Sequence, residues 1–179
     1  FPCRWFAFYN GEYCDIVSIK NLFSPTVSKC KIVESFTSSL IFEKNNTYGL
    51  LGPSLDYYSN NNSIIDKYFG SNKLNVIDKY SVIDRYSVID NYDSIKHLDI
   101  DDYNGYFELE KNGKKGISYG SSIIVPLEYD EIKFHTDQET DTTRGVWARD
   151  YEKTVYFSLK KLNEGVKLAK SEYCRRRNV

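Results

Sequence analysis

Short turn signals between segments of alternating apolar residues constrain the fold of this chain more than any other sequence feature. Asn10-Gly11 and Asn112-Gly113 each join two such segments, and Asn45-Asn46 holds the same place in a third pair. Asn-Gly predicts a two-residue hairpin turn, because both central residues of a type I′ turn have positive φ. A fourth, weaker candidate turn lies at Glu152-Lys153. The pattern predicts a mainly β fold of about four antiparallel hairpin units.

A second repeat is a hexad in tandem. Its three copies begin at Asp78, Asp84 and Asp90, and each has Tyr at its third position and Ile at its sixth. Because six is even, each position keeps its face on an extended strand, whereas a six-residue step on a helix rotates the face by about 240°. The hexads therefore predict strand, or strand and turn. A parallel β-helix is the alternative.

The spacing of the turns predicts how the chain is divided. Successive hairpin turns recur after roughly 35–40 residues, except that about thirty residues are added between the second and the third. The Asn60–Asn62 run and the first hexads lie in this added stretch. We predict a β-hairpin repeat domain over residues 1–157, with an insertion at about 56–89. In residues 158–179, apolar residues at every third or fourth position predict an amphipathic helix of about fifteen residues with a basic tail.

One extended motif resembles a known repeat family. Lys111–Ile117, followed by Ile123–Pro126 and Tyr129–Ile132, resembles the WG (KWG) β-repeat. The unit of that family contains Gly-Lys-Trp-Gly and later Val-Ile-Pro and Tyr-Asp-x-Ile. The resemblance covers residues 92–132 and extends in weaker form to residues 40–51.

This chain departs from the family at one position of the unit. Lys115 and Tyr48 stand where the family has its Trp. The resemblance implies an all-β array of hairpins and no shared catalytic residue. It also implies a role in binding or scaffolding.

Composition and charge argue against two classes of function. The 24 Lys and Arg against 25 Asp and Glu give a net charge of −1, which argues against a dedicated nucleic-acid binder. No apolar run approaches the roughly eighteen residues of a membrane span, so we expect a soluble protein. The chain begins with Phe1 and contains no Met. This start indicates a processed or truncated product. We expect, as a separate alternative, a component of a larger assembly.

The cysteines and histidines predict no metal or redox motif. Cys3, Cys14, Cys30 and Cys174 form no C-x-x-C pair. Cys3 and Cys14 flank the first turn, so a disulfide between them and free thiols are both open. His97 and His135 are not spaced as metal ligands.

One acidic segment resembles a calcium-binding loop without completing its pattern. Asp99–Glu110 has the length of an EF-hand loop, but Tyr103 holds the fifth position and Gly105 the seventh. We expect an acidic loop between strands. No phosphate-binding loop or nucleophile motif is present in the sequence.

We predict a non-catalytic structural or interaction protein that uses no cofactor and no metal. It binds a protein partner, or assembles with itself, through aromatic side chains on a β surface, since Phe, Trp and Tyr make up 16% of the chain. The alternative is a small enzyme or a carbohydrate-binding module, with a cleft lined by residues 99–102 or 137–139. A basic tail would suit an acidic partner or a phosphate. The candidate interaction residues are Trp5, Tyr48, Tyr80, Tyr86, Tyr92, Tyr129, Trp147, Arg175, Arg176 and Arg177.

Overall fold

The computed structural model describes residues 5–18, 23, 25–55, 80–83, 86–100 and 103–176. In these ranges the chain is mainly β, with three antiparallel sheets and one C-terminal helix. This confirms the predicted fold class of repeated antiparallel hairpins followed by a helix.

The strands follow one another as hairpins and meanders. The first sheet contains β1 (Trp5–Asn10), β2 (Tyr13–Ser18), β3 (Val27–Ser35), β4 (Leu40–Lys44), β5 (Thr47–Pro53), β6 (Tyr80–Ile83) and β7 (Tyr86–Tyr92), in the order β1-β2-β3-β4-β5-β7-β6. The second contains β8 (Ser94–Ile100), β9 (Tyr103–Lys111), β10 (Lys114–Tyr119) and β11 (Ser122–Tyr129), in the order β11-β10-β9-β8. The third contains β12 (Glu131–Asp137), β13 (Thr142–Arg149) and β14 (Thr154–Ser158), and helix α1 (Leu159–Arg176) follows.

All four predicted hairpins are present. Asn45-Asn46 and Asn112-Gly113 form two-residue turns in which both residues have positive φ, as a type I′ turn requires. The first turn is shifted from the predicted position by one residue. Its central residues are Gly11 and Glu12, because Asn10 pairs with Tyr13. Only Gly11 has positive φ there, which is the pattern of a type II′ turn.

The fourth hairpin has a longer connection than the others. Arg149 pairs with Thr154, so residues 150–153 form the loop between β13 and β14. The Asp150 Oδ1 atom accepts hydrogen bonds from the backbone N–H groups of Glu152 and Lys153. This side-chain acceptor closes the loop without the positive φ values of an Asn-Gly turn.

The described part of the tandem hexads is a pair of antiparallel strands. β6 pairs with β7, with Tyr80 opposite Val88 and Ile83 opposite Tyr86. The prediction of strand is therefore confirmed for the described residues of these hexads. Residues 56–79 and 84–85 of the predicted insertion lie outside the described residues, whereas β7 pairs with β5 inside the first sheet.

A Tyr-Asp pair marks the point where the chain passes from the first sheet to the second. Tyr92 ends β7, and β8 begins at Ser94. Between them the Asp93 N–H donates to the Glu110 carbonyl at 2.9 Å, and the Asp93 Oδ2 atom accepts the Asn112 N–H at 2.6 Å. The bend is thus hydrogen-bonded to the end of the next hairpin.

The second Tyr-Asp pair repeats this arrangement between the second and third sheets. Tyr129 ends β11, and β12 begins at Glu131. The Asp130 N–H donates to the Arg149 carbonyl at 2.8 Å, at the end of β13. The Tyr-Asp-x-Ile element seen in the sequence is therefore the joint between successive sheets.

Helix α1 covers one face of the third sheet. Its residues Leu159, Leu162 and Val166 are buried in one cluster with Val146 and Ala148 of β13. Within the described residues, no helix is long and apolar enough to cross a membrane. Because side chains alternate along a strand, the other face of β13 points away from this core.

Candidate functional site

The face of the third sheet opposite α1 carries exposed aromatic side chains. Trp147 lies between the buried Val146 and Ala148 and is 45% exposed. It is paired with Tyr156 of β14, and their ring centroids lie 4.7 Å apart at an interplanar angle of 49°. The His135 ring of β12 is 5.9 Å from the Tyr156 ring, and its Nδ1 atom is 3.4 Å from the Tyr156 Oη atom. We call Trp147, Tyr156 and His135 the C-terminal aromatic platform.

Gly145 of β13 leaves the space in which the Tyr156 side chain lies across that strand. A Cβ atom on Gly145 would be 2.5 Å from the Tyr156 Oη atom and 2.5 Å from the Phe157 carbonyl oxygen. Such a distance is too short for a real contact, so a side chain at this position would displace the ring. A glycine inside a strand often marks such a close approach.

Charged side chains border the platform. Glu131 forms ion pairs with Lys133 at 2.8 Å and with Arg149 at 3.0 Å. The hydrogen bond from Lys133, together with the charges of Lys133 and Arg149, lowers the pKa of Glu131. Lys133 is opposite Trp147 in the register. The platform is therefore an aromatic surface with a rim that carries both signs of charge.

A second candidate site is a groove on the first sheet. It has a volume of about 570 Å³ and lies beside the turns of the first two hairpins. We call it the N-terminal groove and define it by Phe8, Tyr13, Cys14, Lys29, Lys31 and Lys44, all of which line it. The Phe8 and Tyr13 side chains are more than half exposed.

Some of the charged side chains in the groove already have partners within the chain. The Lys31 ammonium donates to Glu12 at 3.1 Å and lies 5.2 Å from the centre of the Tyr13 ring. The Asp15 Oδ1 atom accepts the backbone N–H of Lys29. The groove therefore combines three lysine side chains with exposed aromatic rings and carboxylates.

Two buried cysteines lie opposite each other on β2 and β3, the strands that carry this groove. Cys14 of β2 pairs with Cys30 of β3, and their Sγ atoms are 3.8 Å apart. Both are free thiols, with exposed fractions of 2% and 0%. Burial, and next the neighbouring Cys14, raises the pKa of Cys30 to about 12. The residue that faces Cys14 is thus Cys30, while Cys3 of the predicted pair lies outside the described residues.

The structure divides the predicted interaction residues into four groups, of which the buried one is described in the next paragraph. Trp147 is exposed on the platform. Trp5, Tyr48 and Tyr86 are half-buried, and the Trp5 and Tyr86 rings meet edge to face at 6.1 Å. For Tyr80, Arg175 and Arg176 the structure describes only the backbone, and Arg177 lies outside the described residues.

Two predicted interaction residues belong to the core. Tyr92 and Tyr129 are 0% and 1% exposed, respectively. Each packs at a joint between sheets, Tyr92 against Phe107 and Leu109, and Tyr129 beside Phe157. Their rings present no area to a partner, because both side chains are packed inside core clusters.

The sequence analysis missed His135 and Tyr156 as members of a surface. The predicted turn at Glu152-Lys153 would place Tyr156 opposite Arg149, whereas the observed loop of residues 150–153 places it opposite Trp147. No sequence motif near His135 predicts that it shares a sheet face with Trp147. Its position depends on the pairing of β12 with β13.

The predicted acidic clefts are not assembled by the described residues. The backbone N–H groups of Glu139 and Thr140, and then the Arg144 guanidinium, donate to Asp137 and lower its pKa. Asp137 therefore ends β12, and both of its carboxylate oxygens accept hydrogen bonds from the turn that follows or from Arg144. In the EF-hand-like segment, residues 101–102 lie outside the described residues, and Glu110 lies in β9 at 3.7 Å from Lys115. Within the described residues, no group of three or more His, Cys, Asp or Glu could hold a metal ion.

Comparison of the chain with protein-family models, curated proteins and solved structures finds no significant match. The resemblance to the WG β-repeat therefore stays a prediction that rests on the motif residues themselves.

Proposed function

We propose that this chain is a non-catalytic interaction protein of β-hairpin repeats that associates with a protein partner through the C-terminal aromatic platform. The observation that carries the proposal is the exposed Trp147 ring against Tyr156, on a sheet whose other face is held by α1. Aromatic rings on a rigid backbone give large contact area at a low cost in conformational entropy.

The residue types around the platform support the proposal of a protein interface. Binding sites for proteins combine a centre enriched in Trp, Tyr and Arg with a polar rim. Trp147 and Tyr156 form such a centre, and Glu131, Lys133 and Arg149 form such a rim. Because the rim carries both signs of charge, a second copy of the chain can match it about a two-fold axis. Self-association is therefore the form of the proposal that we test.

Sedimentation velocity over a range of protein concentrations tests this proposal. We expect the sedimentation coefficient of the wild-type chain to rise with concentration, and Trp147→Ala to abolish that rise. Tyr151→Ala is the matched control, because Tyr151 is 97% exposed in the neighbouring turn and takes no part in the platform. A wild-type chain that stays monomeric throughout, or a Trp147→Ala variant that associates as wild type does, would overturn the proposal.

Saccharide binding is a second candidate, favoured by the N-terminal groove. The exposed rings of Phe8 and Tyr13 offer flat surfaces for the C–H face of a sugar, and Asn45 and Asn46 line the same groove. A glycan array with wild-type and Tyr13→Ala protein tests this candidate. Phe6→Ala is the control, since Phe6 is an exposed ring of the same strand as Phe8 but does not line the groove. Binding that Tyr13→Ala leaves intact would contradict it.

A further inference from the structure

We propose that the open edge of β1 pairs with the same edge of a second copy of the chain, so that the first sheets of two molecules join about a two-fold axis at Ala7. The second copy is the occupant of this edge. The inference does not rest on the proposed function, because the edge belongs to the first sheet and the C-terminal aromatic platform to the third.

The β1 strand lies at one end of its sheet and has an open side. In the described part of the chain it pairs with β2 alone. Residue pairs of antiparallel strands alternate between pairs that exchange backbone hydrogen bonds and pairs that do not. The pair that closes a two-residue turn, here Asn10 and Tyr13, is of the first kind. By this alternation, the backbone groups of Trp5, Ala7 and Tyr9 point away from β2.

A hydrogen bond on the far side of β2 supports this assignment. Ala7 pairs with Ile16, and the Ile16 carbonyl accepts the Thr26 N–H at 2.8 Å, just before β3. Because that carbonyl points towards β3, it does not point towards Ala7. Each outward-facing residue of β1 therefore offers one N–H donor and one C=O acceptor at the open edge.

These backbone groups are complementary to a second copy of themselves. In an antiparallel pair centred on Ala7, this residue lies opposite its own copy. Trp5 and Tyr9 of one chain then lie opposite Tyr9 and Trp5 of the other. Each of these pairs exchanges two hydrogen bonds, so every outward donor and acceptor on both strands is used. A row of such groups at a sheet edge is a template for another strand.

The side chains of the intervening residues suit the same pairing. Phe6 and Phe8 lie on the face of the sheet opposite Ala7, and they are 42% and 58% exposed. In the two-fold pair, Phe6 of one copy lies opposite Phe8 of the other, at a position without hydrogen bonds, where side chains are closest. Aromatic pairs across strands stabilise a sheet. The pairing therefore buries rings that are exposed in a single chain.

The β1 strand also lacks the residues that protect an edge from pairing. It contains no charged residue and no Pro, so no charge would face its own copy across the axis. The edge strands β8, β11 and β12 each carry charged side chains, and β11 also contains Pro126. The remaining edge strands, β6 and β14, are shorter than β1. Since charges, Pro and short length block pairing at an edge, their absence favours pairing at β1.

Multi-angle light scattering of the Trp147→Ala variant tests the pairing, because this substitution removes association through the platform. We expect twice the mass of one chain at every concentration measured. Addition of Phe8→Lys places a charge inside the pairing, so the mass should fall by half. Tyr13→Lys is the matched control and should leave the dimer intact, because Tyr13 is a half-exposed ring on the same face of β2, away from the edge.

This readout separates the two proposals. The edge pairing gives a constant dimer mass in Trp147→Ala, whereas the platform makes the sedimentation coefficient of the wild-type chain rise with concentration. Each result can therefore fail without the other.

Amide hydrogen exchange, followed by NMR, locates the interface. The N–H groups of Ala7 and Tyr9 should exchange slowly in the Trp147→Ala dimer and rapidly once Phe8→Lys is added. The N–H groups of residues 6 and 8 bond to β2 in both proteins, so they should stay protected and serve as internal controls.

Far-UV circular dichroism shows whether each variant folds. If Phe8→Lys does not fold, Ala7→Pro replaces it, since a Pro at this position removes only an outward N–H and leaves the hydrogen bonds to β2. A Trp147→Ala variant with the mass of one chain would overturn the proposal. A dimer that survives the edge substitution, or one in which the Ala7 and Tyr9 N–H groups exchange rapidly, would also overturn it, because the copies would then meet at another surface.

Discussion

At the scale of single residues, one glycine determines how closely the first and second sheets approach. Gly120 has a φ of +51°, and a Cβ atom there would be 2.3 Å from the Pro53 carbonyl oxygen. The same carbonyl accepts the backbone N–H of Ser121 at 3.0 Å. The end of β5 and the turn before β11 are thus in direct backbone contact. Only a residue without a side chain permits this contact.

We therefore expect Gly120→Ala to lower the free energy of unfolding by about 2–4 kcal/mol, through the clash and the positive φ together. Urea unfolding measures the change. Gly113→Ala is the matched control, since Gly113 also has positive φ but a Cβ atom there would meet nothing within 4 Å. This control should lose only about 1–2 kcal/mol. Equal decreases in the free energy of unfolding for the two variants would show that the close approach to Pro53 does not contribute to stability.

At the scale of elements, a backbone hydrogen bond holds each of the two bends between sheets, at Asp93 and at Asp130. At Asp93 the side chain accepts a further hydrogen bond. The Asp93 carboxylate accepts the N–H of Asn112 in the third hairpin turn. The Asp130 carboxylate instead contacts the Lys114 ammonium, and about half of each of these two side chains is exposed. A hydrogen bond to a turn restrains the bend, whereas an exposed ion pair adds little.

From this difference we expect Asp93→Ala to destabilise the protein by about 1–2 kcal/mol and Asp130→Ala by less than about 1 kcal/mol. Chemical denaturation of the two variants measures both values. Asp93→Asn keeps an acceptor oxygen and should recover most of the loss. If Asp130→Ala were the more damaging change, the proposed role of the Asp93 side chain would be wrong.

At the scale of the whole molecule, two buried tyrosines make folding sensitive to high pH. Burial, and next the nearby Glu128, raises the pKa of Tyr129 from 10.0 to about 12, and burial also raises the pKa of Tyr92. The fold therefore favours the neutral phenol. This contribution to stability is complete below about pH 10 and is lost as the pH rises towards the folded-state pKa.

The free energy of unfolding should accordingly fall between pH 10 and pH 12, and it should fall less steeply in Tyr129→Phe. Urea unfolding at several pH values in this window gives the slope. Tyr151→Phe serves as control, because Tyr151 is almost fully exposed and should leave the slope unchanged. An identical slope in wild type and Tyr129→Phe would contradict the prediction.

The local part of the fold could be predicted from the sequence because its causes are local. Asn112-Gly113 specifies a type I′ turn by its own backbone preferences, and the segments on either side then pair by proximity. The first turn was displaced by one residue, since Gly11 alone supplies the positive φ that its geometry requires. The helix was predicted for the same kind of reason, from the spacing of Leu159, Leu162 and Val166.

The candidate sites could be predicted only in part, because they combine distant strands. The repeated Tyr-Asp-x-Ile element was visible in the sequence, but its tyrosines were assigned to a surface. Tyr92 and Tyr129 are instead core residues at the ends of β7 and β11. Conversely, Trp147 was recognised as a surface candidate without Tyr156 and His135, which complete its platform.

The sequence by itself determined a mainly β chain of repeated hairpins with a C-terminal helix, because turn preferences and the alternation of side chains act over a few residues. Only the tertiary structure decided which rings are exposed, which cysteine faces Cys14, and where successive sheets join. These features depend on the register between strands that are far apart in the chain. A shift of one residue in such a register reverses the face of every side chain on the strand.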